Sequence, residues 1–186
     1  RAKSIVMGDP LDDATEIGPL AFADQRDKVA GYVDLGRSEG ATVLVGGQAT
    51  DAGLGGYFYE PTVLVDVNND MRVVREEIFG PVAAIMPFDS EDEVVALAND
   101  TDYGLAAGIW TRNLSRAHRV AGRLEAGTVW VNTYRAMSPM SPRQGFKSSG
   151  VGVEHGQETI KEYTRLKSVW INTSEDPVAD PFVMRS

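Results

Sequence analysis

The chain has 186 residues, 42% of them hydrophobic, which is enough for one domain with a sizeable core. Its 27 acidic and 18 basic residues leave a formal net charge of -9, which repels nucleic acid and anionic membrane surfaces and weighs against a polyanionic partner. The absence of Cys excludes disulfides, and no apolar run approaches the roughly 20 residues that span a bilayer.

The opening, from Arg1 to Phe22, alternates turn residues with short apolar pieces, and Gly8-Asp9-Pro10-Leu11-Asp12 punctuates it as a loop. It does not read as a signal peptide, so a soluble, cytoplasmic protein is expected. From Asp24 the spacing predicts a helix with Val29, Tyr32, Val33 and Leu35 on its buried stripe, weakened by Gly36 and ended by Gly40. Ala41 to Val45 then reads as a short buried strand closed by Gly46-Gly47. The glycine-rich stretch from Asp51 to Gly56 lacks the G-x-x-x-x-G-K-[ST] pattern, so a flexible connector is the better reading than a phosphate cradle. Tyr57 to Val67 is strand-like, but Pro61 favours an edge or a break between two short strands.

The stretch Arg75-Glu76-Glu77-Ile78-Phe79-Gly80-Pro81-Val82 sets two carboxylates and an aromatic ring against a Gly-Pro turn, directly before an apolar run. Glycine lets the backbone approach a neighbour closely and proline stiffens the turn. A carboxylate there can accept from sugar hydroxyls while Phe79 forms a flat wall. Spacing alone favours a plainer reading, two solvated loop acids.

Val82 to Phe88 is nearly continuous apolar sequence, as in a strand covered on both faces. Ser90-Glu91-Asp92-Glu93 is a capping box, in which Ser90 accepts from the Glu93 amide and the Glu93 side chain reaches back. Its three acids suit the positive end of the helix that follows. After the turn at Asp102-Tyr103-Gly104, Leu105 to Trp110 reads as a strand, Leu114 or Ser115 to Leu124 as a helix, and Thr128 to Val131 as another strand. This alternation predicts an α/β fold, an open, mostly parallel sheet with flanking helices. Ligands in such sheets gather beyond the carboxyl ends of the strands, here the loop after Val131.

Asn132 to Gly152 is rich in turn residues and leaves no room for a regular element, so a substrate-lining loop is expected. Glu158 to Tyr163 suits a short helix and Leu166 to Asn172 a strand, with an acidic tail from Glu175 to Ser186. His118 and His155 have no metal-ligand spacing, and no metal is assigned.

The octapeptide resembles the glutamate-isoleucine-phenylalanine-glycine-proline signature of the NAD(P)-dependent aldehyde dehydrogenases. Gly56 to Leu64, Asn99 to Gly104 and Ala126-Gly127-Thr128-Val129-Trp130-Val131-Asn132 resemble other segments of that family in the same order. Together they extend to about Asn172. The family's chain is much longer, so the resemblance implies that residues 1–166 are the C-terminal part of a catalytic domain, incomplete as an α/β sheet. It also implies that 167–186 hold an oligomerisation strand and a tail, and that the complete enzyme is a homo-oligomer.

The implied reaction is oxidation of an aldehyde to its acid through a cysteine thioester, with NAD or NADP as hydride acceptor. Both the cysteine and the water-activating glutamate belong upstream of these residues. No catalytic residue is therefore assigned, and the 186 residues alone are expected to be inactive. By the same resemblance Glu77 bonds the nicotinamide ribose hydroxyls, Phe79 packs beside the nicotinamide, and Glu76 is a bystander. Asn132 and Thr133 flank the reacting aldehyde, and Met137 lines the substrate tunnel.

The largest departure from the family is Ser141-Pro142-Arg143-Gln144-Gly145, with Arg143 where an aromatic is common and Gln144 where glycine is common. If Arg143 faces the tunnel, its guanidinium can pair with an anionic aldehyde; if it faces solvent, it carries no such meaning. Two other functions stay open. One is an acylating or phosphate-reducing relative; the other is a stand-alone interaction or assembly module.

Overall fold

A computed structural model describes residues 1–176; the part of the acidic tail beyond them lies outside the described residues. A turn of 3-10 helix at Ala2–Ser4 opens a loop stitched by a bridge between Met7 and Ile17. Helix α1 (Ala23–Glu39) follows, and its fully covered residues Val29, Val33 and Gly36 recur at steps of four and three, one face of a helix. Gly36 does not interrupt it. A Cβ there would lie 3.3 Å from Val73 Cγ1 and 3.5 Å from Leu64 Cδ1, so the glycine is where the helix presses on its neighbours. Gly40 ends α1 in the left-handed region at φ 109°, and the Ala41 amide donates to the Gly36 carbonyl at 2.8 Å.

Beneath α1 lies a three-stranded sheet. Strands β1 (Thr42–Val45) and β4 (Thr62–Val65) pair antiparallel, and β4 pairs parallel with β5 (Val82–Ala84), giving the order β1-β4-β5. The parallel step is made through α2 (Arg72–Arg75), a small crossover. Two-residue strands β2 (Ala49–Thr50) and β3 (Phe58–Tyr59) form a hairpin around the glycine-rich connector, with Pro61 separating β3 from β4. The core comprises Val29, Val33, Ala41, Tyr59, Leu64, Val67, Met71 and Val73. Covering a Val or Leu side chain completely is worth about 1.5–3 kcal/mol, and Leu64, Val29 and Val33 are each fully buried.

Two strand expectations need correction. β1 is not buried: its residues alternate between exposed and half-covered, because it is the sheet edge. The apolar run from Val82 is not covered on both faces either. The strand stops at Ala84; Val82 and Met86 pack on the core while Ala83 and Ile85 face outward, and β5 is the other edge.

The rest of the chain builds on a second parallel pair. Strand β7 (Ala106–Ile109) runs alongside β8 (Thr128–Val131) in a four-residue register, connected through α4 (Leu114–Ala121). Helix α3 (Glu91–Asn99) precedes them. Ser90 Oγ accepts from the Glu93 amide at 3.1 Å as the capping box requires, but the Glu93 carboxylate reaches the Asp89 amide at 2.7 Å, one residue further back. Asn113 caps α4 by accepting from the Arg116 amide at 2.9 Å. Glu91 of α3 receives both Arg116 and Arg119 of α4, which joins the helices and holds its carboxyl down at about 2; the Arg119 hydrogen bonds come first and those of Arg116 second.

The turn-rich segment after Asn132 is not wholly irregular. Strand β9 (Arg143–Gln144) pairs with β11 (Val153–Glu154), and β10 (Phe146–Lys147) pairs with β6 (Tyr103–Gly104). Two-residue ladders leave almost no periodic signal, so turn residues dominate the sequence pattern. Helix α5 (Thr159–Glu162) is present, whereas 166–172 forms no ladder among the described residues and exposes Leu166, Val169, Trp170 and Ile171.

Candidate active site

The loop from Glu76 to Pro81 leaves α2 and enters β5, crossing the flank of α1. Three contacts fix its backbone. Gln25 Nε2 donates to the carbonyls of Ile78 at 3.0 Å and Phe79 at 2.8 Å, so α1 holds two successive peptide groups of the loop. The Thr62 amide donates to the Pro81 carbonyl at 2.7 Å. At Gly80 the loop touches Val29 so closely that a Cβ would stand 2.4 Å from Cγ2, which explains why glycine stands there.

Of the two adjacent acids, Glu76 is the committed one. The Tyr32 hydroxyl donates to its Oε2 at 2.5 Å, and Arg72 Nε and Nη2 donate to Oε1 and Oε2 at 2.7 and 3.0 Å. Arg72 first, then Tyr32, hold the Glu76 carboxyl at about 2, while donating this bond raises the Tyr32 phenol above its ordinary range. Glu76 thus braces the loop and does not line the cavity that Glu77 faces. Only half of the motif was legible: Arg72 and Glu76 at i,i+4 are an ordinary helical pair, but Tyr32 lies far away in sequence.

Glu77 turns the opposite way. Exposed, and bonded to no partner among the described residues, it lines a cavity of about 440 Å³ with Asn99, Thr101, Tyr103, Leu105 and Ser149. Lys147 braces one wall, donating from Nζ to the carbonyls of Asn99 at 2.6 Å and Thr101 at 3.2 Å and pairing with Glu125 at 2.7 Å. Phe79 projects from the loop, 71% exposed, with its backbone in the left-handed region at φ 55°. A bulky residue holds such a conformation only where its surroundings impose it, here the Gln25 clamp.

Beyond β8 the chain turns at Asn132, also left-handed at φ 53°. Its side-chain amide accepts from the Thr111 amide at 2.9 Å and donates to the Thr111 carbonyl at 2.8 Å. Asn132 therefore ties the exits of β7 and β8 together, a bracing geometry distinct from the expected contact with substrate. Thr133 beside it is exposed. Met137 and Arg143 come together at a recess of about 50 Å³ whose lining includes Trp130, Ser141 and His155. Trp130 shapes this corner, donating from Nε1 to the Ala136 carbonyl at 2.8 Å and stacking edge-on with Tyr134 at 5.5 Å. Glu77 and the Met137–Arg143 pair line separate cavities.

The profile of aldehyde dehydrogenases matches residues 1–169, nearly the whole chain. The chain belongs to the aldehyde dehydrogenase family. It is 47% identical over 176 residues to a betaine aldehyde dehydrogenase from Brucella anthropi, covering 92% of this chain and 36% of that one. A betaine aldehyde dehydrogenase from Rhizobium etli is 46% identical over 183 residues, covering 98% of this chain and 37% of its own. Among solved structures, the NAD+ complex of an aldehyde dehydrogenase from Bacillus cereus superposes with a TM-score of 0.89 at 46% identity, over 93% of this chain and 35% of that one. A betaine aldehyde dehydrogenase variant from Staphylococcus aureus, also with NAD+, gives 0.91 at 40% identity, over 95% and 36%. The family assignment and the α/β fold are thereby established, and this aldehyde dehydrogenase chain spans about a third of the length of the relatives it matches. Among its described residues no helix is long and apolar enough to cross a membrane.

Proposed function

We propose that these residues form part of an enzyme that oxidises an aldehyde to its carboxylic acid, and that their share of the work is to hold the redox end of a nicotinamide cofactor beside the substrate loop. One observation carries this reading. Neighbouring carboxylates of one loop are treated oppositely: Glu76 is saturated by Tyr32 and Arg72, whereas Glu77 faces a cavity and has no hydrogen-bond partner among the described residues. A carboxylate with free lone pairs suits a ribose, whose hydroxyls can donate to acceptors fixed in place. Phe79, propped outward, supplies a flat wall for a planar ring.

The chemical fit favours NAD or NADP, which supplies the hydride acceptor when bound. Glu77 and Phe79 would hold it; this is positioning, which lowers the barrier by fixing geometry. Arg72, Tyr32 and Gln25 keep their loop from yielding. A thiolate must come from outside these residues, since the chain has no Cys, and the family resemblance puts the water-activating acid there as well. The exposed segment 166–172 suits a strand that finds its partner in another subunit of a cytoplasmic homo-oligomer.

The enzyme containing this chain is expected to form NAD(P)H only when an aldehyde is supplied, and the 186 residues alone to form none. Failure of that enzyme to oxidise any aldehyde in a panel of neutral and charged substrates would remove the proposal. Turnover by the isolated chain would remove the assignment of the nucleophile elsewhere.

A further inference from the structure

Arg143 occupies an unusual position for a cation. Its backbone is fixed in the β9–β11 ladder opposite Glu154, its side chain is half-buried, and no ion pair reaches it among the described residues, Glu154 included. The recess it lines has walls from Trp130, Met137, Ser138 and His155, with no acidic residue among them. Arg143 also lines a second cavity of about 450 Å³ that Glu154 and Glu162 share, yet it forms an ion pair with neither of them.

The recess is also held in shape. Trp130 Nε1 donates to the Ala136 carbonyl at 2.8 Å, and the Gly156 amide donates to the Pro139 carbonyl at 2.9 Å, tying the loop after β8 to the turn that carries His155. At about 50 Å³ it has room for a small polar group such as a carboxylate. An aromatic at position 143 would offer a π face, the partner of a quaternary ammonium; an arginine offers forked N–H donors, the partner of a carboxylate, and repels a fixed positive charge.

We propose that Arg143, with His155 and Ser138 beside it, receives a carboxylate at the far end of the aldehyde, so that the substrate is an anionic semialdehyde and not a trimethylammonium aldehyde such as betaine aldehyde. The inference rests on the reading of the chain as part of an aldehyde-oxidising enzyme. Arg143 is the specificity-determining residue. Trp130 and Met137 line the recess beside it.

The test compares three aldehydes of equal chain length on the enzyme that contains this chain: one ending in carboxylate, one in methyl, one in trimethylammonium. The wild type is expected to favour the carboxylate. Arg143→Ala and Arg143→Phe should lower kcat/KM for that substrate about 10- to 100-fold, mainly through KM, and lower it far less for the neutral aldehyde. Arg143→Lys should keep part of the preference, and a dicarboxylate should inhibit the wild type more strongly than Arg143→Ala. A wild type without the preference, or variants that lose the neutral and anionic substrates equally, would overturn the assignment of Arg143 while aldehyde oxidation stands. A wild type that oxidises none of the three would remove both readings together.

Discussion

The Tyr32 hydroxyl donates to Glu76 Oε2 at 2.5 Å, which links the middle of α1 to the residue before Glu77. Because Glu76 also holds Arg72 on both oxygens, the carboxylate is the knot at which helix, crossover and signature loop are joined. Tyr32→Phe leaves the ring and removes only the donor. It is expected to raise the KM for the cofactor with little change in kcat, approaching roughly 100-fold only if the loop moves by about 1 Å. Steady-state kinetics with varied cofactor check it, and an unchanged KM would separate this knot from Glu77.

Gly80 faces a different constraint, one of space. A methyl group added there meets Val29, whose side chain is fully buried and has nowhere to retreat. Gly80→Ala should cost about 1–3 kcal/mol, the usual penalty of overpacking a filled core. The paired substitution Val29→Ala should recover part of the loss in the double variant, as residues in contact couple. Denaturant unfolding of the four proteins measures that coupling, and strict additivity would contradict the contact.

The acids that bind arginines predict a pH dependence of definite sign. Glu76 and Glu91 are held at about 2 when folded, below the ordinary 4.5, so the folded state keeps its carboxylates charged where the unfolded chain takes up protons. Their contribution is complete above 4.5 and disappears as the pH falls from there through about 2. Both are open to solvent, so the effect is modest and shrinks in high salt. Glu91→Gln should lower the unfolding midpoint at neutral pH and become nearly silent at the acid end of that window. A variant whose deficit stayed constant with pH would show that the Arg116 and Arg119 pairs contribute nothing electrostatic.

The elements visible in sequence were those with local causes. The Ser90 cap, the Val29–Val33 stripe and the break at Pro61 depend on neighbours within a few positions, and each is in the structure. What escaped depends on distant contacts. Gly36 looks like a helix weakener until Val73 and Leu64 are seen against it, and the apolar run at Val82 looks doubly buried until its edge position in the sheet is known. At the site, the family signature pointed to this loop but not to the bracing part of Glu76, because its tyrosine partner is 44 residues away. Arg143 was visible as an anomaly, whereas the recess it shares with Met137 and His155 required the fold.

Asn132 ought to reveal itself as a brace. Its amide makes both bonds to the Thr111 backbone from a left-handed residue, a conformation that costs most side chains about 1–2 kcal/mol. Asn132→Ala loses the bonds and keeps the strain, while Asn132→Gly loses only the bonds. Alanine should therefore destabilise more than glycine, by about 1 kcal/mol, in thermal or denaturant unfolding. If the two are equally stable but both lose activity on aldehydes alone, the side chain acts on substrate and the bracing role falls.

Glu77 is where the functional reading is most exposed to experiment. Its carboxylate has no hydrogen-bond partner among the described residues, so replacing it by glutamine leaves the fold no donor to strand and should not alter the unfolding midpoint. The amide keeps one acceptor oxygen but exchanges the other for a donor that cannot receive a ribose hydroxyl. Glu77→Gln is accordingly expected to raise the cofactor KM or slow hydride transfer by about 10-fold, the worth of one charge-assisted hydrogen bond, with aldehyde KM preserved. Cofactor titration followed by fluorescence, together with single-turnover rates, distinguishes the two. Unaltered cofactor binding and turnover in Glu77→Gln, with Glu76→Gln impaired, would move the ribose contact away from Glu77 and leave the cavity it lines without an assigned occupant.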